Sequence, residues 1–260
     1  MTRHLPLEGV DNFRDFGGYP TSSGGRLRAA RLFRSASHGK ATDADLDAVH
    51  ALNIAVVVDL RRKHERVRDP SRRHAAFAGE VVENDSGGEA EEEDSWIVHV
   101  TSSDLSEASF RDYMFRYYAE APFNPRMIDL YTRYFGVLAN ADGPVLIHCA
   151  AGKDRTGILA ALTHHLTGVH PDDMMTDYLL TNDPARAARR LPLVTGAIRD
   201  LTGREPPEAA VRVAMGVEAA YLETSFSAMA ERCGGIDQYL HSTLGVDPAK
   251  RDAVRARLVE

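Results

Sequence analysis

Apolar and polar positions alternate in two different ways along this chain. From residue 12 to 37, NFRDFGGYPTSSGGRLRAARLFRSAS, short apolar alternations are broken by the pairs Gly17-Gly18 and Gly24-Gly25, which predicts small strands and a hairpin. TDADLDAVHALN follows, with Thr42 as a helix N-cap, acids in its first turn and Leu46, Val49 and Leu52 at helical spacing. It leads into IAVVVDL, Ile54 to Leu60, a β-branched apolar run suited to a strand buried on both faces. A β-α-β rhythm results. EVVEN, Glu80 to Asn84, predicts a further strand, and DSGGEAEEEDS after it is too charged and glycine-rich to pack.

From Ser109 the period becomes helical. SFRDYMFRYYAEA and PRMIDLYTRYFGVLANA repeat aromatic and aliphatic residues every three to four positions, and Asp142-Gly143 then turns the chain into the strand PVLIHC. TGILAALTHHLTG predicts a helix closed by Gly168. From Pro171 to Glu260 the pattern is almost wholly helical, with breaks expected at Pro184, Pro192, Pro206-Pro207 and Gly234-Gly235. The expected organisation is one α/β domain over residues 1–260, with a mobile acidic loop at 85–108 and a helical elaboration at 171–260. Apolar residues such as Val211, Met215, Ala219 and Leu222 are expected in its core.

Composition narrows the function classes. The chain has 260 residues, 43% of them hydrophobic, and a formal net charge of −7, which argues against a general affinity for nucleic acid or anionic membrane. An anionic ligand must therefore meet a local basic site. Two cysteines, Cys149 and Cys233, and an opening MTRHLPLEGV without an apolar core predict a cytoplasmic setting with neither a disulfide framework nor a secretory leader. No apolar run reaches the roughly 18 residues of a membrane span.

The chemistry concentrates in VLIHCAAGKDRTG, Val145 to Gly157. Cys149 sits where a buried strand ends, and Thr156-Gly157 opens a helix just after. A tight loop between them can turn the amides of Ala150, Ala151, Gly152, Lys153 and Asp154 inward, and the helix adds the positive end of its dipole. Gly152 permits close backbone approach, and the Arg155 fork matches two phosphate oxygens. The same fields favour a thiolate at Cys149, a nucleophile held beneath a phosphorus atom. A Walker-type nucleotide loop fails twice, because Asp154 stands where Ser or Thr is needed and Ile147 where the first glycine belongs. His148 has no second ligand at metal spacing, and His164-His165 form no metalloprotease motif. Orienting the loop by hydrogen bonds suits His148 better, and Asp59 is expected to anchor a strand end to it.

HCAAGKDRTG resembles the signature loop of the cysteine-dependent protein tyrosine phosphatase superfamily. NFRDFGGY, RLFRSAS, VVDLRRKHE, HCAAGKDRTG and DYLLTND occur in the order seen in bacterial atypical tyrosine phosphatases that also act on phosphoinositides. The resemblance runs from about residue 5 to the end. It implies a mixed, twisted central sheet flanked by helices, with lid helices over the pocket. It implies Cys149 as the nucleophile that forms a phosphocysteine, Arg155 as the phosphoryl-binding residue and Thr156 as an aid to sulfur departure. Substrates would be phosphotyrosine proteins or peptides and phosphoinositides, with inorganic phosphate as product and neither metal nor cofactor. Lys153 is expected either to add a cation for an inositol ring bearing several phosphates or to pair with Asp154 or the acidic insert.

A general acid must protonate the leaving oxygen. The relatives carry it in a Pro-Phe-Pro-Asp loop, whereas this chain has ENDSGGEAEEEDS there. Asp85 ranks first by position and Asp154, inside the signature loop, second; Asp94 and the neighbouring glutamates are expected to be mostly solvated. Two rivals remain: sulfurtransferase-like or arsenate reductase-like chemistry on the same cysteine, and a phospho-ligand binding module without catalysis. The pairing of His148, Arg155 and Thr156 with the N-terminal motif argues against the first. Retention of Cys149 argues against the second.

Overall fold

The computed structural model describes residues 3–86 and 95–260. Among them a five-stranded sheet runs in the order β1-β2-β5-β3-β4: Arg14–Asp15, Leu32–Ser35, Val145–His148, Val56–Asp59 and Glu80–Val82. The last four are mutually parallel, and β1 pairs antiparallel at the edge. The register aligns Ser35, His148 and Asp59 across β2, β5 and β3, so the loops that follow these strands leave the same edge of the sheet. That carboxyl edge is where parallel sheets place their ligands.

Alternation along the strands separates two cores. Val56, Val58, Val145 and Ile147 belong to the larger one, while Val57, Leu146 and Phe33 pack with Leu46 on the opposite face. The first helix, α1 (Asp43–His50), carries the predicted Thr42 cap, whose hydroxyl accepts from the Asp45 amide at 3.2 Å. α2 (Lys63–Arg68) follows β3. α3 (Ser95–Ser102) and α4 (Glu107–Glu120) precede α5 (Pro125–Asn140), and α6 (Asp154–Thr167) descends from the signature loop. α7 (Pro171–Leu179), α8 (Pro184–Thr202), α9 (Glu208–Met215), α10 (Ala219–Cys233) and α11 (Pro248–Leu258) complete the chain.

Two elements differ from the sequence expectation. Pro192 lies inside α8 and does not end it; α8 stops at Gly203, in the left-handed region at φ +68°. The late part of the expected acidic loop is helical, because Val100 on α3 is fully buried against Leu105, Phe110 and Ile198 in a third apolar cluster completed by α9. Gly87 to Asp94, including the Asp94 candidate, lie outside the described residues. Ala210, Val211 and Met215 pack in that third cluster, and Leu222 in the larger core. Among the described residues, no helix is long and apolar enough to cross a membrane.

Candidate active site

Cys149 stands one residue beyond β5, 2% exposed, at the floor of a cleft of about 870 Å3. Its Sγ accepts the Gly152 N–H at 3.3 Å, closing the loop over the sulfur. Gly152 has φ +66°, and a Cβ there would lie 2.4 Å from the Ser35 carbonyl carbon. No other residue fits. The Gly152 carbonyl is held from behind by Asn12 Nδ2 at 2.8 Å and Arg34 Nη2 at 3.1 Å. Ala150, Ala151 and Lys153 belong to the same tight turn between β5 and α6, whose amides can present N–H donors to an anion.

Arg155, in the first turn of α6, presents its guanidinium to Glu65 on α2. Nη1 reaches Oε2 at 2.6 Å and Nη2 reaches Oε1 at 2.8 Å, while Nη1 also donates to the Leu60 carbonyl at 3.2 Å. Burial alone would raise the Glu65 pKa; Arg155 overrides it and holds the carboxyl well below the usual range. Glu65 is also the capping residue of its own helix, accepting the Arg62 amide at 2.7 Å. The Tyr131 hydroxyl donates to the Arg155 carbonyl at 3.0 Å. Arg126, from α5, donates to the Leu60 and Arg61 carbonyls, both at 3.1 Å; burial, with Arg155 nearby, lowers its pKa to about 10.

The support beneath the loop consists of buried charges. Asp59 accepts from the Arg61 amide and guanidinium and lies 3.5 Å from His148 Nε2. Burial would raise its pKa, yet His148 and Arg61 hold it at about 2. Burial also pushes the His148 pKa down, against the opposing pull of Asp59. Its ring packs 5.4 Å from that of His38. Asp177 on α7 receives Arg14 at 3.0 Å and Arg34 at 2.7 Å, and the three side chains are 0–1% exposed. Asp177 thus secures the arginine that holds Gly152.

The two candidate acids occupy different environments. Asp154 lines the cleft with Cys149 and Arg155. Its Oδ1 accepts the Tyr118 hydroxyl at 2.8 Å and lies 3.5 Å from Lys153 Nζ. Asp85 is 57% exposed, paired with Arg66 on α2, and is not among the cleft-lining residues. Lys153 also differs from a free substrate cation: its buried ammonium donates to the Ala214 carbonyl at 2.6 Å and the Gly216 carbonyl at 3.2 Å, at the end of α9. Thr156 is fully buried, and its hydroxyl has no hydrogen-bond partner among the described residues.

Sequence reasoning brought out Cys149, Arg155, Asp154 and the loop between them, and missed the residues that hold them. Glu65, Arg126, Tyr118 and Asn12 come from segments more than 20 residues away from the loop in the chain. A signal existed for two of them, since Glu65 ends VVDLRRKHE and Asn12 opens NFRDFGGY. The described residues lining the cleft include nine lysines and arginines against Glu65, Glu120 and Asp154. In a chain of net charge −7, that is the local basic site an anionic ligand requires.

The sequence profile of the tyrosine phosphatase family matches residues 5–260. A Cupriavidus necator protein bearing a provisional tyrosine-protein phosphatase name is 31% identical over 258 residues, covering 95% of this chain and 87% of that one. The triple specificity protein phosphatase PtpB of Mycobacterium tuberculosis is 30% identical over 280 residues, covering 99% of each chain. A tyrosine-protein phosphatase of Nostoc commune is 28% identical over 244 residues, covering 89% of this chain and 75% of its own.

Proposed function

The chain belongs to the tyrosine phosphatase family and is a phosphatase, and from that premise we propose how Cys149, Arg155 and Asp154 divide its reaction. The observation that carries the reading is the placement of the Cys149 sulfur at the floor of a basic cleft, with the Gly152 amide 3.3 Å from it and Arg155 locked by Glu65 in the same cleft. The Cys149 thiolate attacks phosphorus, the sulfur–phosphorus bond forms, and the bond to the leaving oxygen breaks. Asp154 gives that oxygen its proton. In the second step Asp154 takes a proton from water, the new oxygen–phosphorus bond forms, and sulfur departs as thiolate with inorganic phosphate as product. Loop amides and Arg155 carry the equatorial phosphoryl charge. Thr156, one residue after Arg155 in the signature loop, is assigned to stabilise the departing sulfur through its hydroxyl.

Asp154 takes the acid's role in this reading, ahead of Asp85, because it lines the cleft while Asp85 is paired with Arg66 outside it. The substrate is a phosphate monoester. Phosphotyrosine is the reading's first substrate, and phosphoinositides its second, favoured by a cleft in which Arg116, Arg186 and Arg190 stand beside the apolar Trp96, Leu193 and Ile198. The test uses substituted phenyl phosphates in the presence of chelator. Hydrolysis that Cys149→Ser abolishes is expected. Asp154→Asn should lower kcat/KM, which reports the first step, by on the order of 100-fold or more for phenyl phosphate and far less for 2,4-dinitrophenyl phosphate. If Asp85→Asn shows that pattern and Asp154→Asn does not, the acid is Asp85.

A further inference from the structure

Behind Asp154 stands a chain of two phenols that the reaction has not yet used. Tyr178 Oη, on α7, donates to Tyr118 Oη at 2.7 Å, and Tyr118 Oη, on α4, donates to Asp154 Oδ1 at 2.8 Å. Tyr118 and Tyr178 are 0% and 1% exposed. Burial raises the pKa of both phenols well above 10, so each keeps its proton and the direction of donation is fixed across the working range of pH. The fold makes room for this chain: a Cβ at Gly157 would lie 2.9 Å from Tyr178 Cε2, so the glycine after Thr156 lets the ring reach the first turn of α6.

We infer that Tyr118, braced by Tyr178, is a positioning residue that orients the Asp154 carboxyl so that Oδ2 carries the transferred proton. Both neighbours of the carboxyl engage Oδ1, Tyr118 at 2.8 Å and Lys153 at 3.5 Å, and nothing among the described residues engages Oδ2. With Oδ1 occupied by a donor, a proton on Oδ1 would meet the phenolic hydrogen, so it resides on Oδ2. Because Asp154 immediately precedes Arg155 at the start of α6, its backbone is fixed with the loop, and the carboxyl rotation sets which oxygen meets the leaving group. The inference rests on Asp154 as the acid.

The experiment compares kcat and KM for phenyl phosphate and 2,4-dinitrophenyl phosphate in Tyr118→Phe, Tyr178→Phe, Asp154→Asn and the double variant Tyr118→Phe/Asp154→Asn. Tyr118→Phe is expected to lower kcat on phenyl phosphate by about tenfold or more, the size expected for one hydrogen bond to a charged group. Its kcat/KM on 2,4-dinitrophenyl phosphate, which reports the first step alone, should stay within about twofold, and the double variant should be no slower than Asp154→Asn. Tyr178→Phe, which leaves the Tyr118 bond in place, should show the same pattern at smaller size and carries the test if Tyr118→Phe does not fold. Equal losses on the two substrates, or a double variant slower than Asp154→Asn, would overturn the positioning role while leaving Asp154 as the acid. An Asp154→Asn variant with no leaving-group dependence would overturn both.

Discussion

Glu65 grips both terminal nitrogens of Arg155, at 2.6 and 2.8 Å, from a helix that the sequence places 90 residues earlier. The fork therefore enters catalysis already oriented, and only its remaining donor directions face the cleft. Glu65→Ala should lower kcat on p-nitrophenyl phosphate by on the order of 100-fold, as misplacing a phosphoryl-binding group does. Glu65→Gln, which keeps one acceptor oxygen, should lose less. Steady-state rates with vanadate inhibition check this, and wild-type inhibition in Glu65→Ala would mean that Arg155 is oriented without it.

Acid should unfold the protein through its buried carboxylates. Asp59, Glu65 and Asp177 all have folded pKa values below the ordinary carboxyl value, Asp59 at about 2. Their contribution is complete above an unfolded pKa of about 4 and is lost as pH falls through the folded values. Denaturant midpoints between pH 6 and pH 2.5 should fall steeply below about pH 4. Asp177→Asn should cost about 3–5 kcal/mol at pH 6, since Arg14 and Arg34 lose a buried partner, and should flatten the acid limb. An unchanged slope would show that the Asp177 pair does not govern it.

Gly152→Ala should leave the fold intact by circular dichroism and remove most activity. A Cβ there meets the Ser35 carbonyl and the backbone needs φ +66°, so the loop must shift beneath the sulfur. The expected loss is on the order of 100-fold in kcat, read with p-nitrophenyl phosphate. Near-wild-type turnover would show that the loop amides can move freely without harming the reaction.

How much of this was legible in the chain depends on sequence distance. The signature loop could be read because Cys149, Gly152 and Arg155 lie within seven residues and their spacing states the chemistry. α1, the strands and the Gly168 stop were equally local. The choice of acid turns on contacts distant in sequence: Asp85 follows β4 as the relatives' acid would, while Arg66, 19 residues earlier, pairs with its carboxylate. Pro192 suggested a break that packing overrides, since Ile198 and Val194 on the same helix anchor α8 to the third cluster. Tyr118 and Tyr178 read as apolar helix positions, and only the fold turns their hydroxyls toward each other.

Lys153 illustrates the same limit, because the loop sequence offers its charge to a polyphosphorylated ring while the fold commits its ammonium to Ala214 and Gly216. Lys153→Ala should therefore reduce turnover similarly on a phosphotyrosine peptide and on a phosphoinositide, and speed amide exchange at the end of α9. A loss several-fold larger on the phosphoinositide would show that the ammonium leaves those carbonyls for substrate.

The covalent intermediate is the central claim, and trapping it tests the account most directly. Asp154→Asn should slow water attack while 2,4-dinitrophenyl phosphate, which needs no acid to leave, still loads the enzyme. Denaturing quench during turnover, followed by peptide mass analysis, should find a phosphoryl group on the peptide containing Cys149, and none in Cys149→Ser/Asp154→Asn. Turnover with an unmodified Cys149 peptide, or a phosphoryl group on another residue, would contradict the account.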